Sequence, residues 1–395
     1  MRWLDKYILF SSVFALFTES FTFHYVIDWK LFYLIVFTNF ILLGTRKKLT
    51  VHKNILFVFL FFIIHGVVFY IWYQNPIKSL IAQLLGIAIS SIYYFNFLKH
   101  YGVKRAFNMY LNLTLVLAVL AIFMFYSGIH VFIYNRLNGI LSEPAHYVAV
   151  VLPATYVFFR DKEYIKFAVL LITILLAKSS IGYLGLALII ILPLLKTKHL
   201  VKYLWIVGVV LGISGYYIST QWNKPVDENK SNVLVRRLKE TKESLNAVST
   251  GKFEEHTNLS SYAFLSNTFV TRKVFLEKPF GAGLGSYPHE YDKYYSELTP
   301  PPYLVTLKQS KINRTDANSL FLRLVADLGI FAFLFGLFFV YRSNKLFKSD
   351  QKIIQQSTFF YLVLKLIREG HYFPPEFYFF LLIFLKDFDE DTAHS

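Results

Sequence analysis

Long apolar runs separated by short polar breaks set the rhythm of this chain. Runs at about 7–23, 30–44, 54–73, 77–97, 106–128, 144–159, 163–178, 180–195, 201–219, 317–341, 353–368 and 374–386 carry almost no charge. A helix of about 20 such residues crosses a hydrocarbon core of roughly 30 Å. The pattern predicts an all-α polytopic membrane protein of about twelve spans. One polar stretch, 220–315, is far longer than the others. It divides the chain into nine spans (1–219), an extramembrane loop domain (220–315) and three spans with a tail (316–395), together one integrated membrane domain. Inside the loop, Ser231-Asn232 caps an amphipathic basic helix over about 233–248, expected to lie flat on the membrane surface. A second helix is expected over about 261–278, ended by Pro279 and the glycines after it.

Charge gives the runs a direction. Arg46-Lys47-Lys48 with Lys53, Lys99 with Lys104-Arg105, Arg160 with Lys162 and Lys166, Lys196 with Lys198 and Lys202, and Arg342 with Lys345, Lys348 and Lys352 occupy alternate connections. Cytoplasmic loops carry the excess of Lys and Arg, so these connections and both termini are assigned to the cytoplasm and the 220–315 loop to the outside. The same distribution accounts for the net charge of +16. The expected partner is therefore the bilayer, not nucleic acid. The abundance of Phe, Tyr, Ile and Lys points to a bacterial inner membrane. The first run resembles a signal peptide, but Glu19 and His24 follow it without a small-residue cleavage site, so it is expected to stay as an uncleaved span.

Several chemistries drop out. With no cysteine, disulfides, thiolate metal sites and cysteine nucleophiles are excluded. Phosphate-loop, zinc-protease and serine-hydrolase motifs are missing too. Asp387-Phe388-Asp389-Glu390-Asp391 contains the Asp-x-Asp spacing of many metal-dependent sugar transferases, but with no strand before it the stretch reads as a solvated acidic tail. Neither a cofactor nor a metal is expected.

The candidate chemistry lies in and beside the long loop. On the second loop helix, Leu265, Phe269, Arg272 and Leu276 recur on one stripe, which puts the Arg272 guanidinium among apolar groups where it needs an anion. That anion is either a bound substrate or a structural partner such as Glu277 or Glu290. Gly281, Gly283 and Gly285 allow sharp turns whose free amides can hold an anion, although any tight return loop uses the same residues. Arg136 and Glu143-Pro144 lead into the sixth span, and Arg314 with Asp316 leads into the tenth. Arg323 and Asp327, four apart on a helix, are expected to pair. Lys178, between two spans, is either a snorkelling lysine or a further cation for the site.

Together these features resemble the bacterial O-antigen polymerase and ligase superfamily. The resemblance rests on Arg-x-x-Gly-x-x-x-Glu-Pro at 136–144, the large loop after the ninth span, Arg272 ten residues or so before Gly283 within Pro-Phe-Gly-Ala-Gly-Leu-Gly-Ser, and the segment from Asn318 through Asp327 to Ile330. In order and topology it covers the chain from about residue 40. It implies a GT-C-like, metal-independent inverting glycosyltransferase of the polymerase kind. Donor and acceptor are oligosaccharides on undecaprenyl diphosphate at the periplasmic face, and a chain-length regulator is the implied protein partner. Arg136 and Arg272 are then the diphosphate ligands, with Arg314 and Lys178 as lesser candidates. Fixed guanidinium groups stabilise the charge of the leaving diphosphate, and a carboxylate deprotonates the attacking hydroxyl. Many members have His-Asn where this chain has Ala317-Asn318, which argues against a ligase and leaves the base open between Asp316 and Glu143, with His289 behind them. A ligase, or a flippase for lipid-linked oligosaccharides, is the alternative; the flippase is disfavoured because charge concentrates in one loop and no internal repeat is visible.

Overall fold

The computed structural model describes residues 3–25, 27–131, 135–194, 246–349, 351–374 and 376–386. The expected span at 201–219, the loop helix before residue 246 and the acidic tail at 387–391 lie outside the described residues. Helix α1 (Trp3–Phe14) runs into a single 3-10 turn, Ala15–Phe17, and is followed by a hairpin of β1 (Thr22–Tyr25) and β2 (Ile27–Lys30) in which Thr22 faces Lys30. Next come α2 (Leu31–Gly44), α3 (Lys53–Tyr73), α4 (Ile77–Tyr101), α5 (Val103–Tyr126), α6 (Pro144–Arg160), α7 (Tyr164–Leu176) and α8 (Ser180–Leu194). Beyond the undescribed stretch are α9 (Leu259–Glu277), α10 (Tyr287–Tyr295), α11 (Pro302–Thr306), α12 (Leu320–Leu328), α13 (Ile330–Phe347), α14 (Ile353–Ile367) and α15 (Phe377–Leu385).

Among the described residues, α3, α4, α5 and α13 are long and apolar enough to cross a membrane, and α2, α7, α8 and α14 are shorter apolar helices. The protein is thus a mostly helical, membrane-type chain. Two expected spans differ from the structure. The run at 7–23 is not one helix: Thr18 turns its backbone N–H and its hydroxyl onto the Ala15 carbonyl, at 3.1 and 2.8 Å, and the chain leaves the helix before the polar Glu19 and Ser20. The run at 317–341 is broken at Gly329, whose φ of 59° and ψ of −130° fit no helix.

α6 is the centre of the bundle. Every side chain from Tyr147 to Phe158 is buried, against α14, α7 and α8. Proline at its first position starts the helix without wasting an amide, since the first N–H groups lack partners in any case. Pro153 inside it removes one backbone donor and loosens the turn. The Tyr110 hydroxyl fills the gap, donating to the Val150 carbonyl at 2.6 Å and accepting from the Ala154 amide at 3.2 Å, two groups that otherwise bond each other.

A second, smaller core joins α9 and α10 to α12 and the turn before it: Phe269, Val274, Tyr287 and Tyr291 pack with Ala317 and Ala326. This smaller core lies at the end of the bundle where α3 and α14 finish and α4, α6 and α15 begin. The basic connections among the described residues fall at the other end. There Asn96 and Lys99 bond Thr50, Tyr101 bonds Asp5, and Arg342 bonds the carbonyls of Phe384, Leu385 and Lys386.

Candidate functional site

The glycine loop after α9 is tied to the broken helix. Gly281, Gly283 and Gly285 have φ of 91°, 99° and 81°, a region glycine enters freely. The Ala282 and Gly283 amides donate to the Ala326 and Asp327 carbonyls, both at 2.9 Å, and Ile330 N donates to the Pro279 carbonyl at 2.9 Å. Carbonyls at the end of α12 that have no partner within the helix are thereby satisfied. His65 of α3 donates to the Phe280 carbonyl at 2.9 Å, and Asn75 donates to that of Ala282.

The anion that this loop holds is the protein's own. Asp327 is fully buried. Its carboxylate accepts from Gly285 N at 2.9 Å, Tyr287 N at 3.0 Å, Ser286 Oγ at 3.2 Å and Tyr372 OH at 2.8 Å. Arg323 lies 3.8 Å away as the expected i,i+4 partner and covers the Tyr372 ring at 4.5 Å. The expectation of amides free for a phosphate is therefore corrected at Gly285: the cradle is filled by a side chain.

Beside it lies a buried ionic cluster that sequence reasoning missed. His146, in the first turn of α6, has Nδ1 3.1 Å from Glu19 and Nε2 3.8 Å from Glu369. Lys365 pairs with Glu369, and Lys30 lies 4.0 Å from Glu19. Tyr361 donates to Glu376 at 2.9 Å. The ends of α1 and α14 and the start of α6 are thus pinned together by charge. Glu19, His146 and Glu369 offer ligand atoms within 4.8 Å of one another, but Lys365 and Lys30 already supply these carboxylates with counter-charge. Two signals were readable: Lys365 and Glu369 are four apart, and Glu19 and His146 are ionisable groups in or beside apolar runs.

The cluster continues to the residues singled out from sequence. Glu369 N donates to the Asn318 carbonyl at 2.8 Å, Arg323 Nη1 donates to the Gly370 carbonyl at 2.9 Å, and His371 Nε2 is 3.7 Å from Asp316 Oδ2. Asp316 is buried and its Oδ1 accepts from the Asn318 amide at 3.2 Å. Asn318 is buried too, with no hydrogen-bond partner for Nδ2. Glu143 is exposed at the N-cap of α6, three residues before His146. The structure thus brings Asp316 and Asn318 into the cluster and leaves Glu143 exposed beside it.

The cations behave differently. Arg136 donates to the carbonyls of Ala177 and Lys178, at 3.2 and 3.1 Å, and so caps the C-terminal end of α7, while Lys178 itself is exposed. Arg272 is not on a buried stripe. α9 packs through Tyr262, Ser266, Val270 and Val274, and the row 265, 269, 272, 276 runs along the margin of that face, buried at Phe269 but 64% exposed at Leu276. Arg272 is exposed and has no ion pair among the described residues. The suggested structural partners are engaged elsewhere, Glu277 by Lys293 at 2.7 Å and Glu290 by Lys278. Arg314 is bonded to Asp292 of α10, with Nε at 2.8 Å. That bond, together with one from Lys311, holds the Asp292 carboxyl below its ordinary range. His289 is exposed on α10, and neither it nor Arg314 touches the cluster.

This gives Arg314 a separable expectation. An exposed pair contributes about 0.2–1 kcal/mol, so Arg314→Ala is expected to leave the melting temperature in detergent within a degree or two of wild type. A loss of activity at unchanged stability would return Arg314 to the ligand set.

An apolar cavity of about 540 Å³ lies between α3, α13 and α15, lined by Val58, Phe62, Leu324, Leu334 and Leu381 and reaching Tyr372 at the ionic end. No family model, no curated protein and no solved structure matches this chain.

Proposed function

We propose that the protein is a glycan polymerase of the O-antigen kind, a metal-independent inverting transferase. It joins oligosaccharide repeat units carried on undecaprenyl diphosphate, at the periplasmic face of a bacterial inner membrane, across about twelve spans. The observation that carries the reading is the meeting of two environments at one end of the bundle: a cluster of buried carboxylates and bases around Asp316, and an apolar cavity that reaches Tyr372 beside it. A lipid-linked sugar has the same two halves. Its hydrocarbon chain is soluble in a cavity of this kind, and the reacting sugar and diphosphate need polar groups held rigidly at the membrane surface. Because the basic connections among the described residues lie at the opposite end, the positive-inside rule favours an outward-facing cluster. The exposed Arg272, together with Arg136 and Lys178, supplies the positive charge for the diphosphate.

Deletion of the gene is expected to leave single repeat units on the lipid carrier outside the membrane. Units stranded inside would indicate a flippase, and full polymer left on the carrier would indicate a ligase. Arg272→Ala is expected to insert at wild-type levels and to lose long chains on a gel of the surface polysaccharide. Wild-type chain lengths in that variant would remove Arg272 from the site.

A further inference from the structure

We propose that His371 is the general base of this transfer and that Asp316 is the carboxylate that positions it. The inference rests on the transferase reading above and assigns the one role that the sequence left open. Of the facing pair, the imidazole is the half a substrate can reach: 43% of the His371 side chain is exposed, against 9% for Asp316. Both Asp316 oxygens have neighbours within the protein, Oδ1 the Asn318 amide at 3.2 Å and Oδ2 the His371 Nε2 at 3.7 Å. Nε2 is the nitrogen that faces the carboxylate, too far for a hydrogen bond in this state but placed to direct a proton there, which leaves the Nδ1 lone pair free; no group among the described residues bonds Nδ1. Glu143, the other carboxylate considered, is exposed at a helix start and has no such partner.

The backbone beneath His371 is built to hold it there. Gly370 passes so close to the 316–318 turn that an added Cβ would collide with the Asp316 carbonyl oxygen. Hydrogen bonds fix the two residues before His371, Glu369 N to the Asn318 carbonyl and the Gly370 carbonyl to Arg323. A base held this way keeps its geometry as the substrate arrives.

The protonation state agrees. Burial of its inner edge pushes the His371 imidazole down to about 4; Glu369 and Glu19 oppose this, and Lys365 and Arg323 add to it. At neutral pH the ring is uncharged and its lone pair is free, but a value this low makes it a weak base at rest, so it takes the proton only as the hydroxyl gives it up in the transition state. In the transfer, the acceptor hydroxyl oxygen bonds the anomeric carbon while the bond from that carbon to phosphate breaks, its electron pair leaving on the diphosphate. The hydroxyl proton passes to Nδ1 and then to solvent from the exposed side of the ring.

The test uses the full-length protein in detergent and lipid-linked repeat units extracted from cells lacking the gene. His371→Ala is expected to lose about 10²–10⁴-fold in kcat, the usual contribution of a general base, at an unchanged melting temperature, and to regain rate when free imidazole is added. Asp316→Asn is expected to lower kcat with little change in KM. His371→Gln, which keeps the bulk of the side chain, serves as a second probe and is expected to be as slow as His371→Ala without imidazole rescue. An active wild type whose His371→Ala and His371→Gln variants keep its rate, or lose it without any imidazole response in His371→Ala, overturns the base. A wild type inert on the repeat units overturns the transferase reading and the base with it.

Discussion

Asp327→Leu is expected to abolish the folded protein. Four hydrogen bonds end on this carboxylate, from Gly285 N, Tyr287 N, Ser286 Oγ and Tyr372 OH, and Arg323 is 2% exposed beside it. Truncating one partner of a buried ion pair typically destabilises by about 3–5 kcal/mol, because the other charge stays behind unpaired. Each buried amide left without an acceptor adds about 1–3 kcal/mol. Against a typical stability of about 5–15 kcal/mol, the sum is enough to unfold the region. The expected observation is loss of the monodisperse peak on size exclusion in detergent, together with early proteolysis near 279–287. Asp327→Asn keeps the shape and an acceptor and is expected to fold with a lowered melting temperature. Pairing Asp327→Leu with Arg323→Met removes the stranded charge and is expected to recover part of the loss. An Asp327→Leu single variant that melts within two degrees of wild type would show that the carboxylate does not hold the loop.

The same residues show what the sequence could and could not convey. Runs of apolar residues are local, and helix boundaries followed from them closely: the run at 54–73 became Lys53–Tyr73, that at 353–368 became Ile353–Ile367, and the loop helix at 261–278 became Leu259–Glu277. The Arg323–Asp327 pair was legible because its spacing is helical. Gly329 was not, since a glycine within an apolar run reads equally as helix interior or break until Pro279 and Gly281 are seen packed against it. The ionic cluster draws Glu19, His146, Glu369 and Asp316 from four distant parts of the chain, and no periodicity joins them. Arg272 failed for a subtler reason. Its helical phase matched the buried Leu265 and Phe269, but the buried face is centred on Tyr262, Ser266, Val270 and Val274, and the 265–276 row leaves it towards its C-terminal end.

Gly329→Ala is the second large effect expected, and the chain supplies its own control. At φ 59° and ψ −130° an L-residue is strained by about 1–3 kcal/mol, and the added Cβ has no room. It would meet the Pro279 oxygen, the Gly281 nitrogen and the Phe280 carbonyl carbon. These are backbone atoms, which cannot rotate aside. Relief requires the glycine loop to back away from the helix break, breaking the bonds from Ile330 N to Pro279 and from Ala282 N and Gly283 N to the end of α12. Because α12 carries Arg323, which holds the Gly370 carbonyl beneath His371, activity is expected to fall with stability. Gly336 lies one and a half turns into α13, and its nearest neighbour to an added Cβ is a Phe321 ring carbon at 3.9 Å. Gly336→Ala is expected to be neutral or to gain about 0.5–1 kcal/mol from helix propensity. Melting curves of the two variants in the same detergent decide the matter: equal shifts at 329 and 336 would mean that the break is a pliable kink and not the joint that fixes the site.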